Sequence, residues 1–471
     1  MTRLERRLLP SVLALVIAPA WAQSMDMPMP AGATPPTPQA TPADGHAHHH
    51  PTTRAQEPQA GPAPPAGSMS GMAMDHAHAP MAMRGALGAY PMSREGSGTS
   101  WLPDATPVDG VHLMRGDWSA MLHATVFAAA GDSAGPRGGR DAFVESMFMA
   151  MAQRPAGDGV FGLRAMVSLD PWLVGNDGYR LLLQSGETAD GHTPLVDRQH
   201  PHDAFMELSA SYMQPLGDDA SAFVYLGLPG EPALGPPAFM HRFSAADNPE
   251  APLGHHWLDA THISYGVATL GWTWRDLRIE GSRFNGREPD QHRSDIELHA
   301  LDSWSARVSW NPGTHWALQA SHGALREPEQ LEPGVDMART TASAIYQRGN
   351  EAWQWQSTLA WGRNRKHPGG QTDAWLLESA LRWQARWTVF GRVERVGKDE
   401  LFGEDDPLHG RTFEVGKLTL GAVRDFRAGA IGRIGIGAQY SWHALPAALD
   451  DAYGDDPGAW LVFARWRLAR D

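Results

Sequence analysis

The chain has 471 residues, a formal charge of −14 and no cysteine. The missing thiol excludes disulfides, thiolate metal sites, a cysteine nucleophile and a lipid-modified N-terminal cysteine. The acidic balance argues against nucleic acid, whose phosphates need a basic face. It is compatible with handling cations, although acidic surfaces mostly confer solubility.

The first 22 residues read as a signal peptide. Arg3, Arg6 and Arg7 form a basic start, residues 8–19 are a short apolar run, and Ala20-Trp21-Ala22 offers a small-x-small cleavage site. The run is shorter than the roughly 20 apolar residues of a spanning helix, and no later segment reaches that length without charges. The chain is therefore expected to be exported.

Residues 23–100 are rich in Pro, Ala, Gly, Met and His with almost no aliphatic side chains, which predicts a disordered tether. Its thioethers and imidazoles are clustered. They are Met25, Met27 and Met29, then His46, His48, His49 and His50, then Met69, Met72, Met74, His76, His78, Met81 and Met83. Neutral sulfur and imidazole donors suit copper, with paired thioethers reaching Cu(I) and adjacent imidazoles suiting Cu(II). Drift in a low-complexity linker is the plainer alternative. Copper is the expected bound ion, and no organic cofactor is expected.

From 101 to 471 the pattern changes to period-two alternation, the signature of strands with one apolar and one polar face. Trp118, Ala120, Leu122, Ala124 and Val126 oppose Ser119, Met121, His123 and Thr125. The same split recurs around 161–169, 303–310 and 353–361. Further strands are predicted at 141–153, 204–214, 220–228, 260–274, 276–284, 315–325, 338–347, 373–384, 386–396, 412–425, 431–442 and 458–468. The apolar faces carry Trp, often at strand ends, while the opposite faces are small or polar. Aromatic girdles around a polar lumen define a transmembrane antiparallel β-barrel, here of about 16 strands (14–18) in the all-β class. The chain ends on Trp466, Arg467, Leu468, Ala469, Arg470 and Asp471 rather than on the aromatic residue usual for such barrels. A soluble exported β-protein is the other reading.

Within the barrel region, Met147, Met149 and Met151 alternate on one face with Glu145 and Gln153, opposite Val144, Phe148 and Ala150. Met121 and Met166 fall on equivalent faces. Methionine filling gaps in a plugged interior is the simpler account; a thioether path for Cu(I) is the sharper one. The run 197–203 contains His200, His202 and Asp203, with the carboxylates placed to orient the imidazoles. On a helix, His255, Asp259 and His262 would share one face. Both runs precede strands and are expected in loops or at the barrel mouth, where polar packing is again the simpler account. The Pro-rich stretch 228–237 is a long loop that could fold into the lumen as a constriction.

Residues 74–81, Met-Asp-His-Ala-His-Ala-Pro-Met, look like the Met-Asp-His-x-x-Met repeats of exported copper-resistance proteins, with Met81 two positions late. In its plan of signal peptide, Met/His-rich segment and barrel, the chain resembles the copper resistance protein B family. The residues 90–101 and 197–203 look like a group of uncharacterised barrels from metal-resistance loci. The expected function is copper resistance at the outer membrane of a Gram-negative bacterium. Copper would be held on a periplasmic tether and sequestered or passed at the barrel. Beside membrane lipid, the expected partners are periplasmic copper oxidase or efflux components. A general porin or solute channel is the main rival. A hydrolase using the His/Asp clusters is the third reading, and no Gly-x-Ser-x-Gly motif supports it.

Overall fold

The computed structural model describes residues 84–429 and 432–469. The signal peptide and every metal-binding residue expected on the tether, from Met25 to Met83, lie outside the described residues.

Seventeen strands form one sheet. The short strand Val111–Arg115 pairs with Trp118–Ser133 alone, and the remaining sixteen close into an antiparallel barrel. Closure is made by the last strand, Gly458–Arg467, against Trp118–Ser133. All sixteen predicted strands are present, with ends shifted by a few residues. A closed sheet leaves no unpaired edge, as a chain crossing lipid requires.

Alternation decides which side faces out. Ser303–Trp310 is buried at every other residue, with Trp304, Val308 and Trp310 exposed and Ser303, Ser305, Arg307 and Ser309 buried. Trp274, Trp310, Trp316 and Trp387 ring one end, while Trp304, Trp375, Trp442 and Trp460 stand toward the other. These two aromatic belts enclose exposed aliphatic residues such as Leu270, Ile279, Leu359 and Ile436. A soluble β-protein would bury these faces; here they form the lipid-facing band of an outer-membrane barrel.

Connections at one end are short, such as 157–158 and 275–276. At the other end they span 168–204, 231–263, 285–302 and 399–412. Short turns mark the periplasmic end and long loops the outer end.

Two segments fill the lumen. Residues 84–100 are expected in the tether and 101–110 at the start of the barrel region; together they pack inside the barrel near the short turns. Leu87, Tyr90 and Trp101 are buried against Phe223, Tyr225 and Phe284. Arginines from three strands hold this plug. Arg278 donates to Thr99 O (2.8 Å), Arg164 to Gly98 O (2.6 Å) and Arg307 to Thr99 Oγ1 (2.9 Å). Residues 84–100, expected in the tether, thus pack within the barrel. Composition missed this because the plug is held by polar contacts from the wall rather than by an apolar core of its own.

The second segment is 231–263, which begins in the Pro-rich stretch and folds inward as expected. Gly235 is met by Arg307, which donates to its carbonyl at 2.9 Å. Its short helix His255–Leu258 lies against the strand Trp353–His367, where a side chain on Gly362 would collide with the Trp257 carbonyl. A hairpin outside the barrel sheet, Tyr179–Thr188 with Pro194–Gln199, packs above it through Leu182 and Leu183.

Candidate metal centre

The polar faces of the strands carry charges that need partners once buried. Arg242, on the inward segment, donates to Asp259 Oδ2 and to Glu378 Oε1, each at 2.7 Å. Arg392 adds a contact to Glu378 at 3.2 Å, and Lys417 pairs with Glu250 at 2.7 Å. This network fixes the inward segment to the wall and sets the position of its histidines.

Five imidazoles gather there. His255 and His262 have ring centroids 5.2 Å apart, His202 and His262 5.7 Å, His255 and His256 5.5 Å, and His200 and His256 5.5 Å. Imidazoles sharing one ion at Zn–N distances of ~2 Å would have centroids roughly 5 Å apart, so this spacing is close to that of a ligand set. Three of the rings are oriented through Nδ1. His202 Nδ1 meets Asp170 Oδ2 at 2.9 Å, His255 Nδ1 meets Asp259 Oδ1 at 2.8 Å, and His262 Nδ1 meets the Asp259 carbonyl at 2.8 Å. With Nδ1–H donated, Nε2 carries the free lone pair, the usual outer-shell arrangement for a metal-binding histidine.

The Nε2 atoms of His256 and His262 are enclosed and lack a hydrogen-bond partner among the described residues. His200 Nε2 lies 3.2 Å from Glu187 Oε1 but outside hydrogen-bonding geometry. Burial drives the protonation of His200, His255, His256 and His262 below the usual imidazole range, so these rings are neutral bases at neutral pH.

The carboxylates expected to join this set do other work. Asp259 is shared between Arg242 and His255 and orients rather than ligates. Asp203 turns away from the imidazoles toward Arg293, 3.7 Å away. The partner of His202 is instead Asp170, on the short helix Asp170–Leu173, whose other oxygen accepts from Ser146 N at 2.7 Å. Glu145, Asp170 and His202 offer ligand atoms within 4.8 Å of one another.

That trio stands at the end of the methionine ladder. Met147, Met149 and Met151 face inward from the strand Gly139–Ala156. They are in register with Thr125, His123 and Met121 across one strand pair, and Met149 also opposes Met166. Successive rungs are about 7 Å apart along the strand. Met206 and Met240 join the same cluster. A cavity of about 170 Å³ runs beside the ladder, lined by the thioethers of Met92, Met121, Met147, Met149, Met151 and Met240 and by His123, His202 and His241. It extends from Met92 on the plug to His202. Met92 lies in the run 90–101, but nothing in the chain's pattern places the plug against the ladder.

No family model matches the chain, and no curated protein matches it. Among solved structures, a Salmonella typhi OmpF complex with daunomycin is 8% identical, covering 76% of this chain and 100% of that one, with a TM-score of 0.48. An anion-selective porin from Comamonas acidovorans is 11% identical over 75% and 100% of the two chains, with a TM-score of 0.44. The outer-membrane channel DcaP of Acinetobacter baumannii is 9% identical over 77% and 100%, also at 0.44. These values are too low to carry function across, and the barrel stands on its own strand pairing.

Proposed function

We propose that this outer-membrane barrel takes copper as cargo, receiving Cu(I) on the thioethers of its lumen and holding it at the imidazole and carboxylate cluster above them. The observation that carries the reading is the cavity lined by six methionines and ending at His202, whose Nδ1 meets Asp170. Thioethers are soft, neutral donors that favour Cu(I) over the hard cations abundant outside the cell. Neutral, outer-shell-oriented imidazoles above them suit a borderline ion.

The first described residue, Arg84, lies at the short-turn end, where Gln153 donates to its carbonyl at 2.8 Å. On this reading the Met/His-rich tether expected ahead of Arg84 lies in the periplasm and would feed the ladder. Copper resistance is the role this arrangement serves, with periplasmic copper oxidase or efflux components as the partners that would supply or remove the ion.

The test is a Cu(I) competition titration of the full chain, the chain without residues 23–83, and an unrelated porin. The truncated barrel should still bind more tightly than the porin. Equal binding by barrel and porin would end the copper reading.

The second reading, a solute channel, is favoured by strand number, since sixteen-stranded barrels commonly enclose aqueous pores. The two lumen-filling segments oppose it. Planar-bilayer conductance at porin scale by the intact protein would support it.

A further inference from the structure

We infer that His256, Glu288 and Glu329 form a divalent-cation site at the outer mouth of the barrel, separate from the methionine path. The ion it fits is a borderline one of the zinc class, and binding it latches the inward segment to two outer loops. This inference shares only His256 with the imidazole cluster of the copper reading; Glu288 and Glu329 have no part in that reading, so the two fail separately.

The three residues come from three segments: His256 from 231–263, Glu288 from 285–302 and Glu329 from 326–335. One ligand atom from each lies within 4.8 Å of the others. His256 is 5% exposed, and the Glu288 side chain is 9% exposed. His256 Nδ1 and Glu288 Oε1 are 3.0 Å apart, close to the separation of two ligands on one ion. Glu288 Oε2 is enclosed without a hydrogen-bond partner among the described residues. It is a buried polar atom on the cluster itself that the fold leaves unsatisfied.

Charge points the same way. Among the described residues, no lysine or arginine pairs with Glu288 or Glu329. Lys366 is committed to Glu332 at 2.8 Å and Glu400 at 3.1 Å, and Arg339, whose Nε goes to Asn364 at 2.9 Å, opposes the Glu288 charge only from beyond ion-pair distance. Two close buried carboxylates with no direct ion pair cannot both ionise cheaply. Burial raises Glu288 to about 7, and burial together with the Glu288 and Glu400 charges raises Glu329 well above the carboxylate range. A proton now does what a cation would do better.

One imidazole and two carboxylates leave a fourth position for water, the donor set of an open zinc site rather than of Cu(I). Gly186 makes room for the ring. Its φ is +119°, and a Cβ there would stand 2.7 Å from His256 Cε1.

The experiment is calorimetric titration of the full chain with Zn2+, compared with Glu288→Gln and Glu329→Gln, isosteric changes that relieve repulsion and keep the fold. The tether histidines also take zinc, so the readout is the difference. Each variant should lose one tight equivalent or weaken it by at least roughly tenfold. In parallel, Zn2+ should slow hydrogen exchange in 285–302 and 326–335 of the unmodified protein. Unchanged stoichiometry and affinity in both variants, or exchange in these loops that is indifferent to Zn2+, would overturn the site.

Discussion

At the scale of the residue, the methionine ladder was legible and its surroundings were not. Strand alternation alone put Met147, Met149 and Met151 on the inner face, because a sheet has no other way to arrange i, i+2 and i+4. Asp170 was invisible. It lies 32 positions from His202, on a single helical turn whose place only the closed barrel defines. Glu288 and Glu329 were equally silent, since loop carboxylates carry no periodicity. Two predictions belong here. Met149→Leu with Met151→Leu should abolish Cu(I) binding in the barrel while costing less than about 1.5 kcal/mol of stability, because the volume is conserved; competition titration and denaturant unfolding measure the two effects. Asp170→Asn should weaken metal binding at His202 by roughly 10- to 100-fold by freeing its tautomer.

The buried histidines also set a pH dependence. His200, His255 and His262 titrate below the usual 6.5 because burial opposes their charge. The unfolded chain takes up these protons from about pH 6.5 downward and the folded segment does not, so their contribution to stability is complete above that pH and declines below it. Thermal melts of the metal-free protein should show the midpoint falling between about pH 6.5 and about pH 5. A midpoint that rises over this interval would show these imidazoles charged in the folded state.

At the scale of the element, strands were readable and their contents were not. Period two is dictated by the backbone, so strand existence follows from pattern; the turn ends, which have none, shifted by a few residues. The Pro-rich stretch signalled a stiff loop, but its inward path depends on long-range partners. Arg242 joins residues 17 and 136 positions away. Replacing Arg242 with Met leaves Asp259 and Glu378 buried with one cation fewer, which should cost about 3–5 kcal/mol. Hydrogen exchange should place the loss in 231–263 rather than in the barrel strands, because the sheet's own ladders are untouched.

For the whole molecule, the exposed aromatic belts and the closed sheet follow directly from Trp at strand ends. The filled lumen does not, since residues 84–110 resemble the tether in composition and are held by wall residues distant in sequence, among them Arg164, Arg278 and Arg307. Removing 84–110 should raise planar-bilayer conductance severalfold over the intact chain; equal conductance would mean that the inward segment alone closes the lumen. The central claim is that the lumen itself holds Cu(I) on thioethers. Copper K-edge absorption on Cu(I)-loaded protein lacking residues 23–83 tests it most directly. The account predicts sulfur scatterers at roughly 2.3 Å, the usual metal–sulfur distance, that vanish when Met147, Met149 and Met151 are all changed to Leu. Copper held by nitrogen and oxygen alone, or sulfur scattering that survives the triple change, would contradict it.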